Sequence, residues 1–290
     1  MDLWEIRAEI PAGAADGVEL ALHESGDAGW TLVEDAVARR AWVVGVFEGE
    51  SEAAARWEAL RPALPADIAE RPRPRPLPDA DWRTSYRAHF RAWTFGRLHW
   101  VPVWERDAFR LPEGHSVVWL DPGMAFGTGN HETTRLCIER LVEFEAECGH
   151  EGIRVLDAGC GSGILALSAA RLGFRDVTGF DSDPEAVRVS IENAELNGAP
   201  GIRFMMSGLP EGLGAGGAGI VLANIQADVL IRFSRELAAA VAPGGMLAMS
   251  GILSAEAGAV RGAFAAAAAG WSFDSRTLGE WSDACLRRPA

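Results

Sequence analysis

Hydrophobic and polar positions divide the chain into a front part of short, mixed periods and a longer rear part in which apolar runs alternate with helical patterns. Residues 3–10 alternate with period two, as a half-buried strand does, and residues 13–25 carry Val18, Leu20, Ala21 and Leu22 at helical spacing. Two strand-like runs follow, Trp30 to Val37 and Arg40 to Phe47, and then a helix over 51–60 with Ala54, Trp57 and Leu60 on one face. This β-α-β-β-α order, completed by a short last strand near Ile68, predicts a small open-faced α+β module of the ferredoxin-like kind. It holds no His, Cys or carboxylate cluster that would carry chemistry, so it reads as a recognition domain over residues 1–69.

The run Arg71-Pro72-Arg73-Pro74-Arg75-Pro76-Leu77-Pro78 places prolines at alternate positions, which forbids helix and favours a semi-rigid extended path. Beyond it Trp82, Tyr86, Phe90 and Trp93 share one helical face, beside a stripe of Arg83, Arg87 and Arg91. The aromatic face predicts a helix docked on a core. The arginine stripe reads either as a solvated face or as a contact for an anionic partner. Residues 70–95 are therefore assigned to a linker and an aromatic helix, ahead of a second domain over 96–290.

In that second domain residues 96–104 and 116–121 read as strands, and the glycine-rich stretch from Asp121 to Thr134 leads into a helix with Leu136, Ile138, Leu141, Val142 and Phe144 as its apolar residues. The run from Val155 to Leu167 passes from strand through three alternating glycines into a helix, and Val177 to Phe180 is a further apolar run ending at Asp181. Pro184 and Gly198 bracket the next helix, as a first-turn proline and a terminal glycine should. Strands at 202–206 and 220–225, a helix from Gln226 to Val241, a Pro-Gly-Gly turn, a strand from Met246 to Ser250, an alanine-rich helix to about Ala269 and strands at 271–277 and 281–286 complete the chain. Alternating strands and helices of this kind predict a doubly wound α/β sheet.

Composition narrows the class. With 48% apolar and 23% charged residues, and no run approaching the ~20 apolar residues that span a bilayer, a globular protein without membrane segments is expected. No charged-then-apolar leader is visible at the front, so a cytoplasmic location is expected. The four cysteines have no metal-ligand spacing and read as reduced thiols, and no metal site is expected. The net charge of −14 argues against a protein that tracks nucleic acid over its whole surface, and no direct sequence-specific nucleic-acid binding is expected. Thirteen acids against five basic residues in 1–66 concentrate −8 of that charge at the front. All 27 basic residues are arginine, which we read as a compositional bias of the source genome.

The three glycines locate the chemistry. A strand feeding a tight glycine turn brings backbone N–H groups close to a ligand, because glycine has no Cβ to hold the ligand off. An acidic residue about 20 positions on, at the end of the next strand, is placed to accept hydrogen bonds from ribose hydroxyls. Asp181 meets that requirement, so the turn predicts a nucleoside-bearing cofactor. The spacing Gly159-x-Gly161-x-Gly163, preceded by Asp157, is one residue tighter than the dinucleotide fingerprint. It resembles the cofactor loop of class I S-adenosyl-methionine-dependent methyltransferases. No Lys follows the glycines as phosphate binding would need, and Cys160 stands where a serine-hydrolase elbow needs glycine.

The segments Leu120 to Cys137, Val155 to Leu165, Gly-Phe-Asp-Ser-Asp-Pro and Ala-Asn-Ile together resemble the bacterial family of methyltransferases that act on ribosomal protein L-eleven (L11). The resemblance runs from about Trp82 to Arg287, and its Phe-Gly-Thr-Gly-x-His-x-Thr-Thr element is specific to that family and close relatives. It implies a mixed Rossmann-like sheet, S-adenosyl-methionine as cofactor, and methyl transfer to lysine side chains and the N-terminal amine of the substrate. It also implies that Thr134, Gly159, Asp181 and Asn224 contact the cofactor, with Phe126, Gly127, Thr128, Asp157, Gly161 and Gly163 around them. The front domain matches only loosely, and Trp93 and Val103 stand where prolines or small polar residues are expected.

Methyl transfer to an amine is an in-line displacement that needs a neutral amine and alignment more than a strong acid or base, which accords with the lack of a catalytic triad. Asn224, with the loop of Thr134 and His131, is expected to orient the amine; His131 is either a base or a loop-fixing residue. The acidic front would steer a basic ribosomal protein toward the site, and a monomer is expected. Two alternatives stand: a related methyltransferase for another protein lysine or a small amine, and a nicotinamide-dependent oxidoreductase. Adenine methylation fits less well, because Asn224 is followed by Ile-Gln and not by an element that stacks a flipped base.

Overall fold

The computed structural model describes residues 3–11, 14–15, 18, 22, 29–35, 40–64, 72–77, 92–121 and 132–290. The chain divides into two compact units, Met1–His89 and Phe90–Ala290. The helices expected over 13–25 and 82–93, the strand near Ile68 and the loop carrying Phe126, Gly127, Thr128 and His131 lie wholly or mostly outside the described residues.

The first unit contains β1 (Leu3–Ile10), β2 (Trp30–Asp35), β3 (Arg40–Glu48), α1 (Glu50–Leu60) and β4 (Arg75–Leu77). Its strands lie in the order β2-β3-β1-β4, antiparallel throughout. The period of two in β1 turns Ile6, Ala8 and Ile10 inward, where they meet Val43 and Phe47 of β3 and the Trp57 and Leu60 face of α1. Trp30 closes that core edge-on against Phe47 and Trp57, with ring centroids 4.9 and 5.9 Å away. The Pro/Arg run corrects the reading of 70–78 as pure linker: Arg75–Leu77 pairs with Leu3–Glu5, and Arg75 holds Glu5 at 2.7 Å. Proline is admissible there because β4 is an edge strand, where a missing N–H faces outward.

The second unit opens with β5 (Trp93–Phe95), β6 (Leu98–Pro102) and β7 (Ser116–Leu120), which form their own three-stranded sheet. The strand expected over 96–104 is thus a hairpin: Gly96 turns the chain at φ 54° and returns Trp93 opposite Trp100. Trp93 consequently sits on a strand and not on an aromatic helix. β6 and β7 run parallel, and the Asn197 side chain satisfies both backbone groups of Trp119 on β7, accepting from its N–H at 2.7 Å and donating to its carbonyl at 2.9 Å.

Next come α2 (Glu132–Cys148), β8 (Arg154–Ala158), α3 (Ile164–Leu172), β9 (Asp176–Asp181), α4 (Pro184–Leu196), β10 (Arg203–Met206), β11 (Ala218–Asn224), α5 (Ala227–Arg232), α6 (Ser234–Ala240), β12 (Val241–Leu253), α7 (Ala257–Ala267), β13 (Ser272–Asp274), β14 (Thr277–Leu278) and β15 (Trp281–Arg287). The main sheet has the order β10-β9-β8-β11-β12-β15-β13, with β14 also on β15. Strands β8 to β12 are parallel, while β15 and its partners run antiparallel, which makes the sheet mixed.

Both faces of this sheet are covered, so its central strands read as unbroken apolar runs. Val155, Ile220 and Leu222 pack on one face with α2 and α3, and Leu156, Val221 and Ala223 on the other with α5, α6 and α7. The single helix expected over 226–241 is two, because Phe233 leaves helical geometry at φ −106° and ψ 22°. The Pro-Gly-Gly turn lies inside β12, as a register shift between the pairings Ala218↔Val241 and Ile220↔Met246. Among the described residues no helix is long and apolar enough to cross a membrane.

Candidate functional site

The C-terminal ends of β8, β9, β10 and β11 frame a cavity of about 560 Å³, at the edge where open α/β sheets take ligands. Its floor is the glycine turn. Gly159 and Cys160 donate their N–H groups to the carbonyl of Phe180, at 2.9 and 3.0 Å, which folds the turn back over the end of β9. Gly159 holds φ 72°, and a Cβ there would collide with Cγ2 of Ile225. Only glycine meets both conditions. Ile225 is pressed from its other side by Gly251 of β12, at φ 81°, where a Cβ would strike the Ile225 backbone.

Asp181 closes β9 and faces the cavity. Its Oδ2 accepts from the N–H of Gly161 at 2.9 Å and its Oδ1 from that of Asp183 at 3.0 Å, which fixes the carboxylate while each oxygen keeps a further lone-pair direction. Asp183 caps α4 by accepting from Glu185 N at 2.9 Å, and the Asp181 carbonyl accepts from Ser207 N at 2.9 Å. The far wall is the Ser207-Gly208-Leu209 stretch with Val229 and Phe233. Phe233 reaches that wall because the helix breaks there.

Opposite Asp181, the side-chain amide of Asn224 at the end of β11 donates to the hydroxyl of Thr134 in the first turn of α2, at 3.2 Å. Thr134, Gly159, Gly161, Asp181 and Asn224, all named from the sequence, thus line one cavity. Gly163 and Asp157 stand behind that lining. Gly163 is the N-cap of α3 at φ 77°, with Phe204 and Ser190 against it. Asp157 is fully buried beneath the turn; its Oδ2 accepts from Ala166 N at 3.0 Å and its Oδ1 has no hydrogen-bond partner. Burial, reinforced by the Asp181 charge, pushes its pKa up to about 7 against the pull of the Ala166 bond. Cys160, also in the lining, has its thiol pushed up to about 12 by burial, so it stays protonated.

Sequence reasoning missed the second wall. Ser207, Gly208 and Leu209 belong to no motif; the available signal was that they follow a strand neighbouring β9, on the edge where Asp181 ends. The mixture of flat apolar walls and a few fixed polar groups is that of a small-molecule site. The charges discriminate further. Among the described residues the lining carries two carboxylates, Asp181 and Asp183, and no Arg or His. Such a cavity favours a ligand with positive charge over one bearing a pyrophosphate.

A family model described as Ribosomal protein L11 methyltransferase (PrmA) matches residues 3–288. Proteins named ribosomal protein L11 methyltransferase from Citrifermentans bemidjiense and Geobacter sulfurreducens are 43% identical over 206 residues and 47% identical over 210 residues. The matched segments make up 70% and 72% of this chain and, in both cases, 66% of the relative, just under two thirds of its length. A crystal structure of a ribosomal protein L11 methylase from Lactobacillus delbrueckii subsp. bulgaricus superimposes with a TM-score of 0.60 at 28% identity, covering 69% of this chain and 100% of that one.

Proposed function

The chain belongs to the ribosomal protein L11 methyltransferase family, and from that premise we propose that it transfers methyl groups from S-adenosyl-methionine to the lysine side chains and N-terminal amine of ribosomal protein L11. The observation that carries this reading is the charge of the cavity: Asp181 and Asp183 line it with no cation opposite among the described residues, and Asp157 lies beneath. When bound there, the cofactor supplies a methyl group made electrophilic by its sulfonium.

The residues divide the remaining work. Asp181 holds the ribose hydroxyls on its free lone-pair directions, and Gly159 and Gly161 let the ligand approach the backbone. Phe126, Gly127 and Thr128 belong to the stretch that precedes α2 in sequence, which we assign to covering the cofactor. Asn224 has its Nδ2 engaged by Thr134, so its Oδ1 is the acceptor that remains for an N–H of the incoming amine. His131, on the same loop, fixes that loop or receives a proton. The apolar wall lowers the preference of an entering lysine for its charged form, which helps produce the nucleophile. The lost proton then passes to water, with a backbone carbonyl able to accept a hydrogen bond from the amine.

Residues 1–69 are assigned to substrate recognition, 70–95 to the connection and 96–290 to methyl transfer. The −8 charge of residues 1–66 suits attraction of a basic protein. A ribosomal substrate places the enzyme in the cytoplasm, acting as a monomer without reading nucleic-acid sequence. Isolated L11 incubated with isotopically labelled S-adenosyl-methionine and the full chain, followed by mass spectrometry, tests this: label is expected on L11 amines. Label on L11 groups other than amines, or no label on L11, overturns it. Asn224→Ala is expected to keep cofactor affinity while losing at least about tenfold in turnover.

A further inference from the structure

A second cleft opens at the opposite end of β9. Val177 near the start of that strand, Phe174 ahead of it, and Pro200 and Ile202 ahead of β10 make an apolar floor, with Arg171 and Arg175 over it and a cavity of about 330 Å³ between. Among the described residues no Asp or Glu lines it. In a chain of net charge −14, two arginines brought over one apolar hollow without a carboxylate is an arrangement that needs a reason.

The fold supplies only part of one. Arg171 lies in the last turn of α3 and donates from Nη2 to the carbonyl of Asn197 past the end of α4, as a cation at helix C-termini does. That uses one nitrogen; its Nε is buried and has no hydrogen-bond partner. Burial and the charge of Arg106 both lower its pKa, so it is held in the fold against a cost that an anion would remove. Arg175 is exposed and makes no hydrogen bond or ion pair among the described residues. The nearby carboxylate of Asp176 is already taken by Arg203 at 2.6 Å. Arg106 is also without a carboxylate partner among the described residues, and lies 4.9 Å over the Trp119 ring.

We infer that this cleft binds a phosphate monoester carried on a flat apolar body, a nucleotide in chemical class, with Arg171 and Arg175 on the phosphate and the ring over Phe174, Val177 and Pro200. The size agrees with a mononucleotide site, and a guanidinium pair is the group of choice for phosphate. Free nucleotides and a nucleotide of an RNA strand present the same chemistry. The inference does not depend on the methyl-transfer reading, since the two cavities lie at opposite ends of β9.

Titration calorimetry of the full chain, with saturating S-adenosyl-homocysteine to block the first cavity, tests it with uridine monophosphate, uridine and a decamer of uridylate. Uridine monophosphate is expected to bind at least about tenfold more tightly than uridine, the scale of one charge-assisted hydrogen bond. Arg175→Glu is expected to lose that tenfold with unchanged melting temperature and methyl transfer, and Arg261→Glu, the same charge change outside the cleft, to leave binding intact. Displacement of the mononucleotide by the decamer identifies RNA as the source; its indifference to the decamer identifies a free ester. Equal affinity for uridine and its monophosphate, no binding by any of the three, or equal losses in the two charge reversals overturns the inference.

Discussion

Two aspartates are buried in the same sheet, and they are built in opposite ways. Asp283 on β15 is 1% exposed and fully matched: Arg140 grips its two oxygens at 2.7 and 3.0 Å, and the N–H of Arg276 adds a third bond at 2.6 Å. Burial pulls the pKa of Arg140 down, yet the Asp283 and Asp274 carboxylates outweigh it and hold it above its ordinary value. Asp157 on β8 is 0% exposed and has a single backbone donor and an idle oxygen. A carboxylate with a resident guanidinium joins the far helix to the sheet and wants nothing more. One left with a backbone donor beneath the cavity keeps an oxygen unmatched, and a cation in the proposed cofactor site would favour its ionised form.

The strongest way to break this contrast is Arg140→Ala, which strands Asp283 in the core. A loss of about 3–5 kcal/mol in unfolding free energy is expected by urea denaturation, with cofactor affinity kept while the protein is folded; a loss under about 1 kcal/mol would mean that the pair is not the scaffold described. Next in size is Gly159→Ala, whose Cβ has no room beside Ile225. It is expected to weaken S-adenosyl-homocysteine binding about 100-fold, or about 2.7 kcal/mol, by calorimetry.

The third concerns pH. The folded pKa of Asp157, about 7, lies above its unfolded value near 3.8. Folding is therefore favoured by the neutral acid, and that contribution is complete below the unfolded pKa, falls as pH rises, and is gone above about 7. Relative to Asp157→Asn, which cannot titrate, the wild type should lose about 2 kcal/mol of stability between pH 5 and 7. A flat difference would show that the buried oxygen is satisfied. The smallest effect concerns that unmatched oxygen: a cation in the cavity favours the ionised form, so binding of S-adenosyl-methionine releases a proton. Affinity should rise a few-fold from pH 6 to 8, and Asp157→Asn should abolish the rise.

Much of this contrast was open to a reader of the sequence, and the rest was hidden for definite reasons. Strands β8, β9 and β11 were legible because both faces of the sheet are covered, leaving apolar runs with Asp157, Asp181 and Asn224 at or near their ends. Those ends, with the glycine turn and Thr134, made the first wall of the cavity readable. The break at Phe233 was not, because Phe233 falls at helical spacing between Leu230 and Leu237, and the departure serves a cavity wall that only the tertiary structure defines. The strand at Arg75 was masked by its prolines, which exclude a central strand but not an edge. Trp93 was drawn to the wrong element by helical spacing with aromatics before it, when Gly96 decided its place. The partner of Asp283 could not be found either, since Arg140 lies 143 positions away.

Ile225 and the two glycines that flank it have a consequence for how this sequence can change over time. Gly159 and Gly251 sit 92 positions apart by number, yet both pack against residue 225, Gly159 against its side chain and Gly251 against its backbone. Drift at 225 is open only toward smaller side chains, and neither glycine gains freedom from it, since both also hold a left-handed backbone. A bulkier residue at 225 would therefore press on the turn after β8 at Gly159, whereas Gly251 stays bound to the backbone of position 225 whatever side chain it carries.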